Sequence, residues 1–319
     1  VELSGDTAHL SWSPTIDELE PTATPDYYIL YTRVNGGGFD CGRRIDSTSA
    51  LVKQEADKVY SYRITAVNEG GESFDSETLS ACVRGEAKGH VMIINGFERV
   101  SAPMSVQGDS IAGFYNRYDS GVGYIRDIAF IGEQTNFDRR LSRSENDSHA
   151  LGQSYSDYEG EIIAGNTFDY PAMHGSSIIK TGYSFCSASR KAVERGDVSL
   201  EGYDIVDVVM GKQRTTAIGR GAMGYRYEVF GEALERVLKE YSAKGGAMLL
   251  SGSYMFDDLW HSPLSDDSSR KFARDVLHAE FGGSMATRRG VVESIAKHYG
   301  SRAKLSFNME LSSEIYCVE

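Results

Sequence analysis

The sequence predicts two units in series: an N-terminal all-β sandwich over residues 1–86, then a three-layer α/β domain with a mainly parallel sheet over residues 90–319. Three observations carry this. Short runs of alternating apolar residues separated by turn residues fill the first 85 positions. Continuous apolar runs ended by glycine appear later, as strands buried on both faces would read. An amphipathic helix lies between two of those runs, the signature of a parallel crossover. The length of 319 residues suits two domains, and 40% hydrophobic with 25% charged residues is the composition of a chain with packed cores.

Leu10 and Trp12 share one face of a strand stopped by Pro14, and a polar loop through Pro21 and Pro25 follows. Residues 27–34 form an aromatic and β-branched run ended by Asn35 and three glycines. Residues 59–68 alternate over ten positions, and a last strand is expected near 78–83. Trp12, the run Tyr60-x-Tyr62-x-Ile64-x-Ala66-x-Asn68, and then Gly71, Ser73 and Ser76 resemble the fibronectin type III pattern. That resemblance implies that Tyr60 is a corner residue whose hydroxyl bonds to backbone upstream. It also points to an extracellular, periplasmic or cell-surface setting.

Residues 84–89 read as a polar linker that places the domain boundary. His90–Phe97, Tyr203–Gly211 and Ala247–Gly252 are the three legible strands of the second unit. Between the last two, Val229/Phe230, Ala233/Leu234 and Val237/Leu238 mark one apolar helical face, closed by Gly245-Gly246. A further helix is expected over 270–281, and a last strand over 303–309 or 314–318. Residues 100–200, dense in Gly, Ser, Asn and Tyr, read as a long insertion with helices near 110–118 and 154–163. The chain opens without Met and closes inside the apolar stretch Ile315–Val318, so other domains of a longer parent chain are expected.

The layout of strand, Gly-Gly, apolar strand and Ser251-Gly252-Ser253-Tyr254 resembles the class I glutamine amidotransferase-like (flavodoxin-like) group. There the resemblance implies a Cys nucleophile after such a strand, where this chain has Ser251 and Ser253. The two-unit layout also resembles surface proteins of Bacteroidetes labelled xanthan lyase or fused to an N-acetylmuramoyl-L-alanine amidase. A glycan or peptidoglycan fragment is therefore the expected partner.

The net charge of −13 is spread over both units, and the basic footprint that nucleic acid demands is missing. No run of 18 apolar residues appears, so no transmembrane segment is expected. Gly219-Arg220-Gly221-Ala222-Met223-Gly224 matches G-x-G-x-x-G, but it begins eight residues past Gly211 and Tyr225-Arg226-Tyr227 follow it, so it reads as a loop rather than a dinucleotide turn. No P-loop, HExxH or GxSxG motif is present, and no cofactor or metal site is expected. The four cysteines, Cys41, Cys82, Cys186 and Cys317, form no CxxC pair. Cys41 and Cys82 would lie on distant edges of the sandwich, so no bridge between them is expected.

Ligands of open parallel sheets bind outside the strand C-termini. There Ser253 is the candidate nucleophile, with His174 as base and Asp169 or Asp257 as orienting carboxylate. Arg99, Asn166, Lys212 and Gln213 complete the expected pocket. Two readings follow: a binding or scaffolding module without amidotransferase catalysis, or a hydrolase that acts on peptidoglycan or polysaccharide.

Overall fold

The computed structural model describes residues 1–14, 16, 21–73, 76–97, 104–107, 112–115, 170–211, 216–217, 225–226, 228–252, 254–261, 267–283, 291–293 and 304–306. Antiparallel sheets come first and a four-stranded parallel sheet with helices follows.

Strands β1 (Glu2–Ser4), β2 (Thr7–Ser11) and β5 (Ser49–Lys53) pair in the order β1-β2-β5. The second sheet runs β4 (Arg43–Ile45), β3 (Tyr27–Val34), β6 (Tyr60–Asn68) and β7 (Gly71–Glu72), with β8 (Leu79–Ala81) also on β6. Between them Ala8, Leu10, Leu30, Ala50, Tyr60, Tyr62 and Ala81 form one buried cluster. Tyr60 accepts a hydrogen bond from Glu55 N at 3.1 Å, so its hydroxyl does reach backbone upstream. The Tyr62 hydroxyl is also engaged, accepting from buried Gln54 Nε2 at 2.7 Å. Trp12 lies just past β2 and packs edge-on against Tyr28.

The parallel sheet contains β9 (His90–Asn95), β12 (Ser184–Ser189), β13 (Ile205–Gly211) and β16 (Ala247–Gly252), in the order β12-β9-β13-β16. The hairpin β10 (Met104–Gln107) and β11 (Ala112–Tyr115) comes after β9. It replaces the helix expected near 110–118. Gly113 is a poor helix residue and Phe114-Tyr115 favour a pleated surface. The expected helix near 154–163 lies outside the described residues.

Helix α1 (Tyr170–Thr181) precedes β12, α2 (Arg190–Arg195) follows it, and α3 (Glu232–Ala243) precedes β16. The strands β14 (Thr216–Ala217) and β15 (Tyr225–Arg226) pair antiparallel. The G-x-G-x-x-G segment itself is outside the described residues, but its flanks are the arms of a hairpin, not a strand leading into a helix. Helices α4 (Asp257–His261) and α5 (Asp267–Asp275) follow β16, and β17 (Val291–Glu293) pairs with β18 (Lys304–Ser306).

One face of the sheet is dry across its width. Met92, Ile94, Cys186, Val206, Val208 and Met210 meet Val193 of α2, Leu234 and Leu238 of α3, and Phe272 of α5. On the other face α1 packs on β12 and β9, where Val91, Ile93, Phe185, Val209 and Ala172 cluster with Val59 and Cys82 of the sandwich. Gly175 makes this approach possible, since a Cβ there would overlap the Phe185 ring. The sandwich is stitched to the edge strand β12. Cys82 and Phe185 exchange backbone hydrogen bonds of 2.9 and 3.1 Å, and Ser187 Oγ bonds both the nitrogen and the oxygen of Ser80 at 2.6 and 2.7 Å. Strand β8 thus belongs to the sandwich at one end and leans on the parallel sheet at the other.

Candidate functional site

Only one of the site residues singled out in the sequence has a described side chain. That residue is His174. Arg99, Asn166, Asp169, Lys212, Gln213 and Ser253 lie outside the described residues, and Asp257 is described only as the first residue of α4. His174 is on helix α1 rather than in the expected loop. The helix starts beside Phe97, just past β9, with Tyr170 edge-on to that ring at 5.4 Å. The first turn of α1 is therefore at the C-terminal edge of the sheet. His174 sits one turn further in.

The imidazole Nδ1 of His174 lies 2.7 Å from Oδ2 of Asp207, the third residue of β13. The Asp207 side chain is 3% exposed, while His174 keeps 27%. Beside an ionised carboxylate Nδ1 carries the proton and donates, which leaves Nε2 as the accepting nitrogen. This tautomer follows from the partner, not from an observed hydrogen. Among the described residues Asp207 Oδ1 finds no donor. A second buried acceptor is close by in register. Asn95, at the end of β9, donates from Nδ2 to Glu77 Oε2 of the sandwich at 2.6 Å, and its Oδ1 has no donor among the described residues.

The expected orienting carboxylates, Asp169 and Asp257, have no described side chain; among the described residues the carboxylate on His174 is Asp207. Its signal was present in the sequence: a single acid inside Ile205-Val-Asp-Val-Val-Met210, where every neighbour is apolar. Charges are almost never buried unless paired, so such an acid has a partner. Asn95, closing Val91-Met-Ile-Ile94, carried the same signal more faintly.

A separate polar clamp lies on the dry side of the same edge. Arg190 opens α2, 2% exposed, and donates to Glu194 Oε1 at 2.6 Å and to Val229 O at 2.8 Å. Val229 N donates to Asp258 Oδ2 at 2.8 Å. Asp258 is thus buried on α4. Burial pushes its carboxyl up to about 6, against the backbone hydrogen bonds that lower it. The clamp ties the chain after β12, β13 and β16 together.

Neither buried thiol is disposed for nucleophilic work. Burial raises Cys186 in the dry core and pushes Cys82 up to about 11, and Cys41, which is exposed, lies in the sandwich. At the opposite, N-terminal edge of the sheet a cleft of about 530 Å³ opens between Val198, Leu200, Tyr203, Tyr241 and Lys244. Lys244 pairs with Glu201 there at 2.7 Å.

No family model matches the chain, and no curated protein matches it. Among solved structures, it is similar to a twitchin kinase region from C. elegans that contains fibronectin and immunoglobulin domains. The identity is 15% and the TM-score 0.24, over 44% of this chain and 25% of that one. A likeness at this level carries no argument about activity. Among the described residues no helix is long and apolar enough to cross a membrane.

Proposed function

We propose that the α/β domain is a hydrolase whose site opens at the C-terminal edge of its parallel sheet, with His174 as general base, Asp207 as its orienting carboxylate and Ser253 as nucleophile. The observation that carries this is the 2.7 Å contact between His174 Nδ1 and a carboxylate held at 3% exposure. A buried acid on Nδ1 sets the tautomer and frees Nε2 to take a proton, the arrangement that activates a hydroxyl nucleophile. The strand order β12-β9-β13-β16 supports a flavodoxin-like reading, in which chain order along the sheet is 2-1-3-4. The Tyr60 hydroxyl on Glu55 N supports the fibronectin type III reading of residues 1–86. The resemblance of the two-unit layout to Bacteroidetes surface proteins suggests cell-wall or polysaccharide material as the substrate, and the fibronectin type III resemblance suggests a setting at the cell surface or outside the cell. The raised thiols speak against amidotransferase chemistry by cysteine.

The second reading is a binding module at the same crevice. Its support is the depth of Asp207, since a fully buried acid also serves to fix an imidazole as a hydrogen-bonding group. The intact chain, assayed against muropeptides and acylated polysaccharides with products followed by mass spectrometry, separates the two. The hydrolase reading expects turnover that falls about 10²–10⁴-fold in His174→Ala while binding persists. Saturable binding without turnover in the unaltered chain establishes the module instead. Neither turnover nor binding removes both.

A further inference from the structure

The two undonated oxygens next to His174 are placed as a pair. In the register of β9 and β13, Asn95 is opposite Val209 and Ile93 is opposite Asp207. Asn95 and Asp207 are therefore diagonal neighbours on the same face, with Cα atoms roughly 7–8 Å apart. An atom about 2.9 Å from each oxygen needs the two within about 5.8 Å, so the subsite requires the two side chains to lean toward each other. They also straddle the place where chain order along the sheet reverses, between β9 and β13, and that is where such sheets hold ligands.

The chemistry of this place is one-sided. Asp207 Oδ2 is taken by His174, and its Oδ1 can only accept. Asn95 could present either end of its amide, but the Glu77 carboxylate takes the nitrogen at 2.6 Å and so turns the oxygen inward. Both oxygens belong to residues that are at most 2% exposed, and a buried acceptor without a donor is costly. Two acceptors flanked by the carboxylates of Asp207 and Glu77 repel a carboxylate, phosphate or sulfate. They favour a group that brings several N–H donors and positive charge. A primary ammonium has three donors and no acceptor.

We propose that Asn95 and Asp207 form a subsite for a primary ammonium group of the ligand, and that the sandwich completes it through Glu77. This rests on the reading that the functional crevice lies over β9 and β13, but not on catalysis there. The route in is along the edge strand. Leu249, opposite Asp207 on β16, is 56% exposed, and His174 also reaches the surface. Glu77 is a positioning residue: it touches no ligand and acts by fixing the orientation of the Asn95 amide.

The test is a chemical-shift titration of the intact chain, read at the His174 ring signals, with ethylammonium and D-glucosamine against D-glucose and N-acetylglucosamine. Saturable shifts with the two amines, and none with the two sugars that lack a free amine, are expected. Asn95→Leu and Asp207→Asn should each weaken amine binding at least tenfold. Glu77→Leu should weaken it too, whereas Glu77→Gln, whose amide oxygen can still accept from Asn95, should retain it. If Asn95→Leu fails to fold, the Glu77 pair supplies the same reading from the sandwich side. Binding of ethylammonium without glucosamine upholds the ammonium subsite and excludes a sugar ring from it. No saturable shift with either amine overturns the proposal, and leaves the two oxygens to solvent water only. Equal affinity in the Glu77→Leu and Glu77→Gln variants overturns the role of the sandwich. Turnover is scored separately, so an amine site in a chain that hydrolyses nothing removes the hydrolase reading and keeps the subsite.

Discussion

The two faces of the parallel sheet are built to different rules. On the side of α2, α3 and α5, Met92 and Ile94 of β9, Cys186 and Ala188 of β12 and Val206, Val208 and Met210 of β13 join one apolar cluster, which continues through Phe230 and Tyr241. On the side of α1, the apolar surface covers β12 and β9 and reaches Ile205 and Val209 at either end of β13. There β13 contributes Asp207, and Leu249 of β16 is exposed. Hydrophobic burial grows with area and is indifferent to direction, so the dry face supplies cohesion. Polar groups held in fixed directions supply recognition, and they sit where cohesion has been given up. The division predicts that truncations on the first face harm folding and that changes beside Asp207 harm function.

The largest effect should come from Phe230→Ala. Its ring is 1% exposed and packs edge-on to Phe272 at 5.7 Å and stacks near Phe256 at 6.4 Å. Removing a ring from such a site costs about 3–5 kcal/mol, including the cavity left behind. Urea unfolding of the two chains measures it. A loss below about 1 kcal/mol would show that the dry face is not the cohesive one.

The clamp residue Asp258 is the exception on that side, and it should show as a pH effect. Its carboxyl is raised from 3.8 to about 6, chiefly by burial. The fold therefore favours the protonated acid. This contribution is fully present below the unfolded value near 4, and is lost as pH rises through about 6. Two units correspond to about 3 kcal/mol as an upper figure. Asn at this position can still accept from Val229 N and cannot ionise. Asp258→Asn should thus raise stability at pH 7.5 by about 1–3 kcal/mol and flatten the difference between pH 4 and pH 6.5. Parallel slopes in the two chains would remove the buried charge from the account.

What was legible in the sequence follows the same division. The alternation at Tyr60–Asn68, the continuous runs at β9 and β13 and the apolar stripe of α3 are patterned because burial imposes the pattern, whereas the same kind of run at β16 lies on an edge strand with Leu249 exposed. His174 was visible as a residue type, but its helix was not, since Tyr-Pro-Ala-Met-His-Gly-Ser-Ser has little helical pattern and is held by packing on Phe185. The corner role pointed only to Tyr60, yet both hydroxyls are engaged, Tyr60 by Glu55 N and Tyr62 by the side chain of the neighbouring Gln54. The pairing of Asp207 with His174, and of Asn95 with Glu77, depends on which strands become neighbours. No local period encodes that. A lone polar residue in an apolar strand says only that some partner exists.

The smallest effect is the sharpest probe of the two faces, because it compares consecutive residues. Side chains alternate across a strand, so Leu249 and Leu250 of β16 face opposite sides. Leu250 is partly buried against the dry cluster; Leu249 is 56% exposed on the side of Asp207. Leu250→Ala removes packed methyl groups and should cost about 1–3 kcal/mol. Leu249→Ala removes groups already largely in water and should stay within about 0.5 kcal/mol. The pair can be measured in one denaturation series, with Leu249→Lys as a stricter variant that introduces a charge at the same place. If Leu249→Lys is also tolerated, the face beside Asp207 is open to solvent and a ligand can approach along it. A cost for Leu249→Lys comparable to that of Leu250→Ala would mean that the β16 side of this face is closed in solution. The approach to Asp207 and Asn95 would then have to come from the first turn of α1, beside Phe97 and Tyr170, and the ammonium subsite would have to be reached from the strand ends.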